Sequence, residues 1–356
     1  MRYLKIIIAV LLLAGCEEYF HLDTDATEPI YVFEGLITDQ PGPYKVKVTR
    51  TNGYNDDKTI EVITNARVRI DCSDGKSYNL IIDNSGYYLS DSASLVGEVG
   101  KSYMLFVTTS DGKVFESSWE ELLPCPDIEE VSAKYYEEKI LSTNGSDYFD
   151  ETDFGICATN TTNATGFTPY YRYECKIVIQ IHQYYPGLFP ENRYVYHPVT
   201  QQGLLFIANA NNYTDNRIVG NQLYKTRKKL FNLTVDTLIP EMPEFILQHR
   251  GEYVLVKQYS MTESQYKFWN AVKDQQENSN YLFGQIENQP VGNMSCKSGD
   301  RAFGFFGASA VKQNFGAFSL VEKTRNVMIY NIDSFPDTDT VAYYDHPQNY
   351  TISFAN

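Results

Sequence analysis

The sequence predicts a mainly β protein: an N-terminal β-sandwich of the immunoglobulin or transthyretin kind, followed by a larger β-rich region with at least one α-helix. Three observations predict it. Short runs alternate apolar and polar residues with period two, the signature of half-buried strands. Turn signals of Gly, Asp, Asn, Ser and Pro separate those runs. The aromatic content is weighted to Tyr, with 29 Tyr and 20 Phe against 2 Trp. Tyr suits pleated surfaces where the ring packs and the hydroxyl stays hydrated. The 356 residues are 43% hydrophobic, enough for sizeable cores in two domains or one large β-domain.

The first residues are expected to form a leader. Arg2 and Lys5 form a basic head, residues 6–13 an apolar run, and Leu13-Ala14-Gly15-Cys16 a lipoprotein-processing site. The apolar run is too short to span a bilayer, which takes about 20 residues, and has the order of a secretory signal. Residues 1–15 are therefore expected to be removed and Cys16 to carry the lipid. Its two or three acyl chains exceed the reversible grip of a single chain. Glu17 and Glu18 follow directly, and residues 16–28 read as an acidic tether.

The sandwich is placed at 29–124. Tyr44, Val46 and Val48 alternate with Lys45 and Lys47; Ala66, Val68, Ile70 and Cys72 alternate with Arg67, Arg69 and Asp71. Tyr78, Leu80 and Ile82 repeat the pattern, as do Tyr103, Leu105 and Val107. Turns are expected at Asp39-Gln40-Pro41-Gly42, Ser73-Asp74-Gly75, Asn84-Ser85-Gly86 and Ser110-Asp111-Gly112. Leu123-Pro124-Cys125-Pro126 closes the domain.

The second region covers 125–356. Tyr171, Tyr173, Cys175, Ile177, Ile179 and Ile181 define one face of a long strand, and 251–259 a second strand. Residues 184–198 and 209–216 read as Pro- and Asn-rich loops. Tyr184, Tyr185, Tyr194, Tyr196 and Tyr213 on them are candidate ligand-binding residues, or else aromatics that pin their own loops. Ser260 with Glu263 forms a capping box, and Tyr266, Trp269 and Val272 then fall on one face of a helix. Residues 301–320, 326 onward and the stretch near 351 return to strands.

Charge and motifs narrow the function. The net charge of −15 becomes about −17 once Arg2 and Lys5 leave, which disfavours nucleic acid. Beyond Cys16 five cysteines remain, an odd number, with Cys157 and Cys175 a conceivable pair across adjacent strands. No C-x-x-C is present, none of the five His stands in a metal-ligand spacing, and neither G-x-S-x-G nor a phosphate-binding loop occurs. No cofactor, metal or catalytic residue is expected, and an enzyme is not.

The lipobox with its acidic followers, then Tyr31-Val32-Phe33-Glu34-Gly35-Leu36-Ile37-Thr38-Asp39, resembles the opening of Bacteroidota lipoproteins classed as domain of unknown function 4249. Ala66-Arg67-Val68 with Gly86-Tyr87-Tyr88, the helix Ser264-Gln265-Tyr266-Lys267-Phe268-Trp269, and Gly292-Asn293 followed by Gly304-Phe305-Phe306-Gly307-Ala308-Ser309 extend the likeness over almost the whole mature chain. The acidic residues after Cys16 resemble the export signal that sends such lipoproteins to the cell surface. The resemblance implies an outer-membrane accessory of a TonB-dependent transporter and brings no catalytic residue. A free-standing glycan- or peptide-binding surface protein and a structural adhesion or envelope component are the alternatives.

Overall fold

The computed structural model describes residues 29–51, 60–141, 148–161, 168–185, 191–199, 206–209, 213–214, 217–227, 246–278, 290–321, 326–332, 342–344 and 350–352. The expected leader at 1–15, Cys16, Glu17, Glu18 and the rest of the expected tether lie outside these residues. Among the described residues the protein is mainly β with one helix.

The first nine strands are β1 (Tyr31–Thr38), β2 (Lys45–Arg50), β3 (Glu61–Val62), β4 (Arg67–Cys72), β5 (Ser77–Ile82), β6 (Tyr87–Leu89), β7 (Ser102–Thr108), β8 (Val114–Ser117) and β9 (Glu120–Glu121). Then come β10 (Ile128–Leu141), β11 (Tyr148–Thr161), β12 (Tyr171–Tyr185), β13 (Glu191–Val199), β14 (Phe206–Ala208), β15 (Tyr213–Thr214), β16 (Arg217–Arg227) and β17 (Ile246–Ser260). Helix α1 (Glu263–Asn278) precedes β18 (Met294–Cys296), β19 (Ala302–Ser309), β20 (Val311–Val321), β21 (Asn326–Ile332), β22 (Ala342–Tyr344) and β23 (Tyr350–Ile352).

The alternating segments became strands as expected, with their apolar members inside. Val46, Val48, Ile70, Leu105, Val107 and Phe115 are fully buried, each contributing about 1.5–3 kcal/mol relative to exposure. Gly75, Gly86 and Gly112 hold the expected turns at positive φ, where a Cβ would be strained.

The sheet they form differs from a sandwich confined to 29–124. Its main path runs β18-β8-β7-β4-β5-β6-β2-β1-β19, a nearly closed, mixed, barrel-like sheet of nine strands. Strand β5 divides it: Ser77–Leu80 pair with β4, whereas Ile81 and Ile82 pair with β6. The two halves fold over one core. The sheet is completed by β18 and β19, and β19 runs parallel to β1 from Tyr31↔Ala302 to Thr38↔Ser309. Gly304 makes that approach feasible. It sits at φ +97°, and a Cβ there would lie 1.8 Å from the Phe33 carbonyl oxygen.

Two further antiparallel sheets follow, one ordered β10-β11-β16-β15 and one β22-β13-β12-β17-β20-β21-β23 with β14 also on β12. Cys157 lies on β11 and Cys175 on β12, in different sheets, so they are not on adjacent strands. The hydrophobic core continues from the first sheet into β12 and β17 through Leu122, Cys125 and Ile128. Leu123-Pro124-Cys125-Pro126, the expected closing segment, is thus a buried seam. Ser260 Oγ donates to the Leu123 carbonyl at 2.6 Å, and Gln258 Nε2 donates to the Pro126 carbonyl at 2.9 Å.

Candidate functional site

The tyrosines proposed as loop residues stand on strands instead. Tyr184 and Tyr185 end β12, Tyr194 and Tyr196 lie in β13, and Tyr213 begins β15. In the β12–β13 register Tyr194 faces His182 and Tyr196 faces Gln180. Tyr213 belongs to the other sheet, paired to Ile218, so the five do not converge on one loop cluster. Strand pairing overrode the Pro and Asn content at 184–185 and 191–198, from which the loop was inferred; the rest of that expected loop, 186–190, lies outside the described residues. Pro198 itself pairs opposite Val178.

A different site assembles between the first sheet and helix α1. Because Phe33, Val46, Val48 and Tyr88 point into the core, their neighbours Glu34, Lys45, Lys47 and Tyr87 occupy the outer face. Register aligns Phe305, Glu34, Lys47 and Tyr87 in one row across β19, β1, β2 and β6. The Lys45 and Lys47 ammonium groups lie 5.6 and 5.3 Å from the Tyr87 ring centroid, within cation–π range. Neither forms an ion pair among the described residues.

The facing wall comes from β12 and α1. The Arg172 guanidinium is held between the rings of Tyr259 and Trp269, at 4.6 and 4.8 Å. Its Nη2 lies 3.0 Å from Glu174 Oε1, and the Tyr259 hydroxyl donates to Glu174 Oε2 at 2.7 Å. Burial, then the adjacent Glu174 charge, pushes the Tyr259 phenol well above its ordinary pKa, so it remains a donor. Phe268 of α1 packs on Phe305, with centroids 5.0 Å apart.

The start of α1 fixes this wall. The cap is Thr262, not Ser260: the Gln265 amide donates to Thr262 Oγ1 at 3.2 Å, and the Tyr266 amide to the Thr262 carbonyl at 2.9 Å. Ser260 ends β17 and is fully buried. Thr262 and Ser264 hydroxyls both donate to the buried Glu120 carboxylate, at 2.6 and 3.0 Å, joining the helix N-terminus to β9. An acidic group there also complements the helix dipole. Gln265 turns inward, its Nε2 3.2 Å from Ser309 Oγ. Gly307 leaves it room, since a Cβ at 307 would come within 2.7 Å of Gln265 Nε2. Of the face predicted for α1, Tyr266 and Trp269 are only partly buried; Gln265 and Ala271 are the buried positions.

Between these walls lies a cleft of about 390 Å³. Trp269, Phe305, Tyr87 and Leu36 supply apolar surface; Lys45, Lys47 and Arg172 supply positive charge against Glu34 and Glu174. Gln265 Oε1 and Arg172 Nε, on two of the lining residues, are buried and have no hydrogen-bond partner among the described residues. Such a site can stack a planar or apolar group, attract an anion and exchange hydrogen bonds with it. Among the described residues no group of three or more His, Cys, Asp or Glu is placed to hold a metal ion.

Sequence reasoning missed this site because its residues come from six separated stretches. A signal was nevertheless present. The stretches that carry the family resemblance each send residues here: Glu34 and Leu36, Tyr87, Gln265 and Trp269, Phe305 and Gly307.

Comparison with known proteins gives one match, to a family described as a domain of unknown function (DUF4249), over residues 17–314. No curated protein and no solved structure matches the chain.

Proposed function

Since the chain belongs to the DUF4249 family, we propose that it is a lipid-anchored, non-enzymatic binding protein of the outer membrane that captures a ligand for a TonB-dependent transporter. The cleft carries the capture half of this reading. It is open, about 390 Å³ in volume, and combines aromatic walls with two lysines that form no ion pair among the described residues. That combination is the usual make-up of a small-ligand site. The anchor rests on Leu13-Ala14-Gly15-Cys16, and the family match starts at the next residue, 17. Glu17 and Glu18 act as the signal that directs the chain to the outer leaflet. The first sheet, divided by β5 into two halves over one core, is on this reading of the immunoglobulin or transthyretin kind.

The test is a gentle-detergent pull-down from native outer membranes through a C-terminal tag, read by mass spectrometry. One transporter barrel recovered in near-equal amount is the expected result. The lipoprotein recovered alone refutes the transporter role and favours a free-standing glycan- or peptide-binding surface protein. In that case Tyr184, Tyr185, Tyr194, Tyr196 and Tyr213 become the next positions to substitute.

A further inference from the structure

We infer that the cleft takes a compact carboxylate bearing an apolar group that lies against the aromatic wall. This rests on the reading of the cleft as a capture site and specifies what is captured. Two independent observations converge on it.

The first is charge. In a chain of net charge −15, the cleft gathers three cations against two carboxylates. Arg172 and Glu174 neutralise each other, and Glu174 also accepts from Tyr259. Glu34, opposite Lys47 in register, offsets one lysine. One positive charge is left over, delivered by two ammonium groups that share the Tyr87 ring. A single carboxylate balances it and has two oxygens to offer two lysines.

The second is shape and surface. Trp269, Phe305 and Leu36 present an apolar wall beside the lysines, and the cleft volume admits one side chain with its backbone. A neutral sugar could stack on the same wall but would leave the lysine pair without a counter-charge.

The experiment titrates the full mature chain carrying Trp119→Phe, which makes Trp269 the sole tryptophan and its emission a direct report from the cleft. The probes are N-acetylphenylalanine and its neutral amide, N-acetylphenylalaninamide. The acid should change Trp269 emission saturably and bind about tenfold or more tightly than the amide, the worth of a charge-assisted contact. The double variant Lys45→Gln/Lys47→Gln should lose that preference while still binding the amide and keeping the native circular dichroism spectrum. No saturable response up to about 10 mM, beyond any useful affinity, or equal binding of acid and amide, overturns the assignment. A transporter recovered by pull-down without probe binding retires the ligand class alone; probe binding without a transporter retires the partner alone.

Discussion

Replacing Ser260 with Ala removes one oxygen from the place where three elements cross. Ser260 is fully buried at the end of β17. Its hydroxyl donates to the Leu123 carbonyl at 2.6 Å and accepts the Ala310 amide at 2.9 Å, tying the seam after β9 to the β19–β20 junction. In the variant the buried Ala310 amide and the partly buried Leu123 carbonyl have no other partner among the described residues. A buried group left unpaired costs about 1–3 kcal/mol, and the carbonyl adds less, so the loss should be about 2–3 kcal/mol. Thr262→Ala is the matched control. It removes the true helix cap, worth about 1 kcal/mol, from a partly exposed position whose neighbour Ser264 still bonds Glu120. Urea unfolding followed by far-ultraviolet circular dichroism should therefore rank Ser260→Ala well below Thr262→Ala, with the wild type highest. If Thr262→Ala is the more damaging of the two, Ser260 is acting as the cap that the S-x-x-E pattern suggests, and the seam argument fails.

Two further outcomes follow from single positions. Gly304→Ala should prevent folding, because the added carbon would lie 1.8 Å from the Phe33 oxygen at a φ that side chains avoid; soluble, native-like protein from that variant would contradict the parallel β1–β19 pairing. Burial pushes the Cys125 thiol up to about 12, so in the native protein it should resist alkylation at mildly alkaline pH while Cys296, partly exposed, reacts. The sign of the linked stability is fixed by the same shift: a raised folded value means full stability below the unfolded thiol's pKa of about 8.5, then loss as pH climbs from there toward 12. Peptide mapping after alkylation and unfolding midpoints across that range check both. Equal labelling of the two thiols, or midpoints that rise with pH, would refute the burial argument.

Much of the first sheet was legible because alternation reports which face of a strand is wet. Val68, Ile70 and Cys72, or Tyr103, Leu105 and Val107, needed nothing more. Alternation does not report the partner strand, so nothing in 31–39 disclosed that 302–309 would lie beside it. On β12 the predicted apolar face is buried at Tyr171, Tyr173 and Ile177, yet Val178 and Gln180 on the other face are buried as well. Helical spacing located α1 correctly, whereas its start was displaced by two residues. The overlapping patterns Ser260/Glu263 and Thr262/Gln265 both satisfy a capping box, and only the long-range demand of the seam for Ser260 decides between them. The cleft was invisible for a related reason: its charge and aromatics are ordinary surface residues until two chain regions meet.

The pairing of β1 with β19 also sets a timetable. A chain made from its N-terminus exposes Tyr31–Thr38 early, and the neighbour on one side of that strand arrives only when Ala302–Ser309 is complete. Until then one edge of an apolar strand stays open to any other extended chain, which is how sheets aggregate. Contacts this distant in sequence also make closure slow, because the entropy of a long loop must be overcome first. The late segment therefore acts as a molecular latch, and any fragment that stops short of residue 309 should be insoluble however well its other strands are paired.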